Sequence, residues 1–392
     1  MNKPSAAPTP SSGFALWNLG FRPFYLLASL FSVLSVVLWA GQFSGVFPAI
    51  YLSDPLWHGH EMLFGYTTAI IAGFLLTAVR AWTNQPTPSG MPLMALAALW
   101  IAGRILVLTP LVMTAAVVNA AFPIAVGIAI AFPLIRSRNT RNYFFVGLLV
   151  AMGALIFALH MAMQGRLALS PHQGLQLELD LVLFIMAVMG GRVIPMFTNN
   201  GIPGTNAVRS ARVERIALGS ILLLIATDLL QLPQTVVAVI ALTACLTHAW
   251  RLYLWKPWRT RAAPLVWILH AAYAWIVMYL LLRGLTSLNM LSGSYAAHAL
   301  TVGAVGGMTL GMITRTARGH TGRLLVADGF ERAMFLLIQA AAVIRVFGGI
   351  VSPGFYVASI QLSGVIWALA FGLYAVRYWP VLTRPRLDGK PG

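Results

Sequence analysis

The sequence predicts an all-α integral membrane protein of about twelve transmembrane helices. Three observations predict it. Of 392 residues, 59% are apolar and only 9% are charged, whereas a soluble chain carries roughly 25% charged residues. Apolar runs long enough to cross a bilayer recur along the whole length. The basic residues fall between those runs, in a strongly alternating pattern.

A spanning helix needs about 20 mostly apolar residues. The runs that qualify are 24–43, 60–79, 92–108, 111–135, 143–163, 176–197, 214–231, 234–254, 263–283, 294–314, 331–350 and 355–378. Clusters of Gly, Pro and polar residues separate them, as at Asn84–Gly90, Asn199–Asn206 and Ser292–Ser294. The Pro-, Ser- and Ala-rich start, residues 1–14, reads as a disordered cytoplasmic tail. Residues 15–380 read as one membrane domain and 381–392 as a second cytoplasmic tail.

Orientation follows from counting Lys and Arg. With the N-terminus inside, all but four of the 26 basic residues lie on inner segments; the exceptions are Arg104, Arg166, Arg283 and Arg345. A shift of one helix would scramble this split, so it supports the helix count together with the placement of both termini on the cytoplasmic side. It also accounts for the net charge of +17 without nucleic-acid binding. Tryptophans near run ends, Trp57, Trp82, Trp255, Trp258 and Trp379, suit interfacial belts.

A faint repeat appears with a period of about 115–120 residues. Run two ends in Trp82-Thr83-Asn84 and run six in Phe197-Thr198-Asn199; His60 opens run two and His298 stands near the start of run ten. Three units of four helices would explain this. A general preference of inner loops for Gly, Pro and Asn explains it equally well.

The single cysteine, Cys245, rules out an internal disulfide and Cys-x-x-Cys-His haem attachment. Neither a Walker A loop nor a dinucleotide fingerprint is present. Any metal site must therefore use His, Met, Tyr or carboxylate, and the eight histidines stand first among them, because ionisable groups inside a bilayer are costly and functional candidates by default.

The densest constellation is Ser53-Asp54-Pro55-Leu56-Trp57-His58-Gly59-His60-Glu61-Met62. Asp54 can cap a helix that starts at Pro55. On a regular helix His58 and His60 project about 200° apart. One stripe then holds His58, Glu61, Met62, Gly65, Ala69 and Ala72, and the other His60, Phe64, Thr67, Ile71 and Phe74. His298 sits at a similar depth, followed by Gly303, Gly306, Gly307 and Gly311. Such glycines allow close helix packing or the approach of a planar cofactor.

His58 or His60 paired with His298 would make a bis-imidazole site for a non-covalent haem b. Imidazole also suits copper, for which the other member of the first pair, then His160 and His172, are candidates. His270 is a further metal candidate. Plain hydrogen bonding is the alternative for His160, His172 and His270. Glu61 could hold a ligand's tautomer from outside the metal shell, and Met62 could serve Cu(I). Arg104, with Glu178, Asp180 and Arg283, lies toward the outer side, where an arginine pairs with propionates or carboxylates or snorkels. Asp228 reads as a cap or a solvated residue. His320 and the Arg315–Arg323 cluster read as topology determinants or anionic-lipid contacts.

Several separated blocks resemble the NnrS family. They are Leu19-Gly20-Phe21-Arg22-Pro23-Phe24, His58-Gly59-His60-Glu61-Met62-Leu63-Phe64-Gly65 and Ala72-Gly73-Phe74-Leu75-Leu76-Thr77-Ala78-Val79. Gly190-Gly191-Arg192-Val193-Ile194-Pro195-Met196-Phe197-Thr198-Asn199, the stretch from His298 to Met308, and Arg315-Thr316-Ala317-Arg318-Gly319-His320-Thr321-Gly322 complete the set. The resemblance implies a twelve-helix inner-membrane protein with haem and copper that acts in the response to nitric oxide, in denitrification or the relief of nitrosative stress. One departure is Arg80-Ala81-Trp82-Thr83, where the family pattern has Pro-Asn-Trp-Thr.

Twelve helices with His on the second and tenth also look like the catalytic subunits of haem-copper oxidases and nitric oxide reductases, a likeness of fold alone. The adjacent His pair such enzymes carry on helix seven is missing, since run seven has no His. The residues leave three functions open: binding or redox processing of nitric oxide, transport of a small solute or metal, and sensing or assembly without turnover. Electron donor, oligomeric state and the number of haems are not legible.

Overall fold

The computed structural model describes residues 13–43, 45 and 55–390. The N-terminal tail up to residue 12 and the expected cap, Asp54, lie outside the described residues. Within them, twelve long helices follow one another: α1 Phe21–Phe43, α2 Leu56–Thr83, α3 Met91–Leu106, α4 Val112–Arg136, α5 Phe144–Met163, α6 Pro171–Gly201, α7 Ala211–Leu229, α8 Gln234–Leu254, α9 Pro264–Ser287, α10 Gly293–His320, α11 Gly329–Val351 and α12 Tyr356–Thr383. Each coincides with one apolar run of the sequence. Ten are long and apolar enough to cross a membrane; the chain is a multi-pass membrane protein. α3 has 16 residues, held between Gly90 with φ 58° and Pro92 at its start and the turn at Thr109-Pro110 at its end. α7 carries Arg212, Glu214, Arg215 and Asp228 near its two ends.

Local sequence sets the ends. Asn84 adopts φ 51° and its N–H bonds the Arg80 carbonyl, stopping α2; Asn tolerates this left-handed turn better than other side chains. Asn199, its counterpart in the repeat, does a different job: its amide bonds both backbone groups of Ala207, at 2.7 and 3.0 Å, and pins the loop after α6. Asp328 and Glu331 form a capping box at the start of α11. Arg22 donates to the carbonyls of Leu382 and Arg384, both at 2.9 Å, and so ties the start of α1 to the end of α12.

The helices close into a ring. α4 packs on α5, α8 on α9 and α12 on α1, so the fourth helix of each four meets the first of the next. α2, α6 and α10 meet one another inside. Tyr66 on α2 bonds Thr309 on α10 at 2.6 Å, Gly59 on α2 leaves room for Leu175 on α6, and Arg315 on α10 covers the Phe197 ring on α6 at 3.9 Å. α2 is the most deeply buried of the spans.

Two departures from regular helix matter. α2 runs as a π-helix over Glu61–Thr67 and α10 over Ala299–Gly306. Each π stretch starts on the residue after a histidine, His60 or His298. Such insertions widen the turn and are frequent at functional sites.

Candidate metal centre

The π turn revises the stripes expected for a regular helix. Glu61 does not side with His58; its carboxylate accepts from His60 Nδ1 at 2.7 Å. The wider turn that begins at Glu61 swings this side chain beneath the imidazole before it. His58 and His60 reach different neighbours, and the end of the bundle where α2 and α10 begin holds two separate histidine pairs.

The first pair joins α2 to α5. His60 Nε2 and His160 Nε2 lie 3.1 Å apart, with both rings buried and at 82° to each other. The contact of His60 Nδ1 with Glu61 fixes the proton on Nδ1. His60 Nε2 therefore presents a lone pair toward His160. A carboxylate behind an imidazole in this way is the usual support of a metal-ligating histidine. Glu61 is itself held by Arg104 Nη1 at 2.7 Å, and Arg104 reaches on to Asn119 of α4. This path exists because residue 65 is glycine: a Cβ there would come within 2.7 Å of Arg104 Nη1 and of Phe31. Trp100 Nε1 also donates to the Gly65 carbonyl at 3.0 Å.

The second pair joins α2 to α10 across a cavity of about 490 Å³. The rings of His58 and His298 are nearly parallel, 10° apart, with centroids 6.5 Å from each other. His298 Nδ1 donates to the Ser294 carbonyl at 2.7 Å, which leaves Nε2 as the unprotonated nitrogen. His58 stacks on Trp39 at 4.3 Å, and its buried Nδ1 has no partner among the described residues. Gly59, Ala297 and Gly364 give the walls their small residues; Arg345 lines the cavity, with Nη2 on Ser294 Oγ at 3.0 Å and Nη1 buried with no hydrogen-bond partner among the described residues.

An orphan imidazole nitrogen, an orphan guanidinium nitrogen and small-residue walls fit a planar metal-bearing cofactor with acidic substituents. Volumes of this size are typical of cofactor sites. The residues between His60 and His160 fit a single metal ion with two imidazole donors. Among the described residues, no group of three or more His, Cys, Asp or Glu side chains could hold a metal, so two histidines are what each pair offers.

The remaining candidates fall as follows. Met62 lines the His58 cavity, with its sulfur 3.3 Å from Ser35 Oγ. His172 stands exposed at the rim of the same cavity, in the first turn of α6, apart from His160. His270 is bonded to Thr198 Oγ1 at 2.8 Å, near the opposite end. Asp228 is neither a free cap nor solvated: with Asp180 it takes the guanidinium of Arg283. Glu178 is fully buried, and neither oxygen has a partner among the described residues. Two contributors, Trp39 and Arg345, are not evident from the sequence as site residues. The one available signal was Arg345 itself, an arginine left in an outer helix half.

Fold and site together define a polytopic all-α membrane protein with two histidine pairs at one end of its bundle, one buried and one half-buried beside a cavity. The family profile described as NnrS protein matches residues 15–386, and the chain belongs to that family. Membership links it to the response to nitric oxide. No curated protein is similar enough to be matched.

Proposed function

We propose that this chain is a haem- and copper-containing protein of the bacterial cytoplasmic membrane that binds nitric oxide at the paired histidines. The observation that carries the reading is the placement of four imidazoles in two pairs. In each pair one ring has its Nδ1 proton fixed by an oxygen acceptor, Glu61 for His60 and the Ser294 carbonyl for His298. Haem b suits the cavity between His58 and His298, and copper the gap between His60 and His160. When bound, the two metals would supply one-electron redox chemistry and a coordination position for a diatomic gas.

The chain's own residues have defined parts. Trp39 fixes the plane of the His58 ring by stacking. The Ser294 carbonyl orients His298. Arg345 gives an acidic group in the cavity a cationic partner beside the outer surface. Glu61 orients His60, and Arg104 balances the charge of Glu61 in a medium where an unpaired carboxylate is expensive. The apolar helices around both pairs keep bulk water from the metals. The excess of Lys and Arg at the opposite end supports an orientation with that end in the cytoplasm.

Haem per protein and the absorption spectrum of His58→Ala and His298→Ala test this. Loss of haem or of its low-spin spectrum in both is expected. Unchanged haem and an unchanged spectrum in His298→Ala would remove that residue from the site. Consumption of nitric oxide with an electron donor then separates turnover from sensing.

A further inference from the structure

The opposite end of the bundle holds a second cavity, of about 520 Å³, where α2, α6 and α10 come together. Three arginines line it, Arg141, Arg192 and Arg209, and no carboxylate does. Trp82 and Phe197 supply aromatic walls, with His320 at one side.

Arg192 is held in place, and neither it nor Arg141 makes an ion pair among the described residues. Arg192 Nη1 donates to Asn142 Oδ1 at 2.7 Å, and its guanidinium lies over the rings of Phe144 and Phe145. Asn142 is anchored by Asn139 at 3.0 Å, and Asn139 reaches the Trp82 carbonyl at 3.3 Å. This wall is preformed. Glu214 gives both oxygens to Arg251 at 2.7 Å and also accepts from Arg209 Nε at 3.1 Å. Arg315 adds a fourth cation above Phe197. With Arg209 sharing Glu214 with Arg251, and Arg141 and Arg192 making no ion pair among the described residues, the cavity keeps a net positive charge that an anion would offset. Guanidinium groups recognise tetrahedral oxyanions through charge-assisted hydrogen bonds.

We propose that this cavity binds a phosphate-bearing anion, with the phosphate on Arg141, Arg192 and Arg209 and an apolar or planar portion against Trp82 and Phe197. The phosphate belongs either to an anionic phospholipid headgroup or to a soluble phosphate compound. The site is independent of the histidine pairs, at the other end of the bundle.

The test uses the full chain with its metals, in nanodiscs of zwitterionic phosphatidylcholine. Pyrophosphate is titrated by calorimetry at constant ionic strength, with chloride as the control for general screening. In parallel, retention of phosphatidylglycerol from mixed-lipid discs is read by native mass spectrometry. Arg141→Gln removes an exposed side chain that makes no ion pair among the described residues, so it reports on binding even if Arg192→Gln disturbs the fold. Pyrophosphate binding weakened about tenfold by Arg141→Gln supports a soluble ligand. Selective phosphatidylglycerol retention lost in the same variant supports a lipid. If neither probe binds above its control, or if binding is undiminished in Arg141→Gln and in Arg141→Gln/Arg192→Gln, the proposal fails.

Discussion

The Nε2 atoms of His60 and His160 lie 3.1 Å apart in a buried gap between α2 and α5. With His60 carrying its proton on Nδ1, toward Glu61, a lone pair points into that gap. A metal ion there would replace a single imidazole–imidazole hydrogen bond by two donor bonds. Copper content of the purified protein should therefore fall to background in His160→Ala. Glu61→Gln, which keeps shape but removes the charge behind His60, should weaken copper binding by about 10- to 100-fold. Copper retained at the wild-type ratio in both variants would move the site elsewhere.

Among the described residues Arg104 is the one arginine or lysine paired with Glu61, and the pair is buried. Deleting one partner of a buried pair leaves the other uncompensated, at a cost of about 3–5 kcal/mol. Arg104→Ala should lower the apparent melting temperature markedly more than the double replacement Arg104→Leu/Glu61→Leu. Gly65→Ala should act in the same direction as the single change, because its new methyl would enter the space of Arg104 and Phe31. Equal melting temperatures for the single and double variants would show that the pair is not desolvated.

The twelve helices were legible because lipid imposes a length and a composition that no loop imitates. The histidine pairing was legible only in part: the sequence set His298 against His58 or His60 without choosing between them, and did not show His60 with His160. A regular helix gives two faces for His58 and His60, but nothing in the periodicity of α2 announces the π turn at Glu61–Thr67, and that turn decides which imidazole Glu61 serves. Pairing across the bundle depends on which helices adjoin. The sequence marked His160 as a candidate without revealing its neighbour, and grouped His172 with it although His172 lines the cavity of the other pair. Trp39 looked like one more apolar residue of the first span. Asp228, near a helix end, looked solvated; only the fold brings Arg283 to it.

The orphan carboxyl of Glu178 makes a sharper prediction about energetics. Burying an unpartnered carboxyl costs stability. Glu178→Leu should raise the apparent melting temperature of the purified protein, provided that the side chain fits the same space. A clear decrease would mean that Glu178 has a partner in the folded, metal-loaded protein, and would place it with the functional residues.

Asp328 caps α11 outside the span, and the Asp328 side-chain bond with Glu331, followed by the Phe330 N–H and Arg377, pulls its carboxyl down to about 2. A carboxyl depressed in the fold stabilises above its unfolded value near 3.9, and that contribution is lost as pH falls through about 2. Asp328→Ala should cost about 1 kcal/mol at pH 7, and half-exposure of the Arg377 pair keeps the ionic share small. The difference between variant and wild type should be flat from pH 7 to about pH 5. A difference that shrinks across that interval would contradict the depressed carboxyl.

The central claim is that the four imidazoles hold metals that meet nitric oxide. The most direct measurement is the absorption spectrum of the purified, full-length protein, recorded without oxygen before and after addition of nitric oxide. A Soret band that shifts on addition, and is missing from His58→Ala/His298→Ala, is the predicted result. A preparation with no Soret band even after reconstitution with haem, or a band that nitric oxide leaves unmoved, would contradict it.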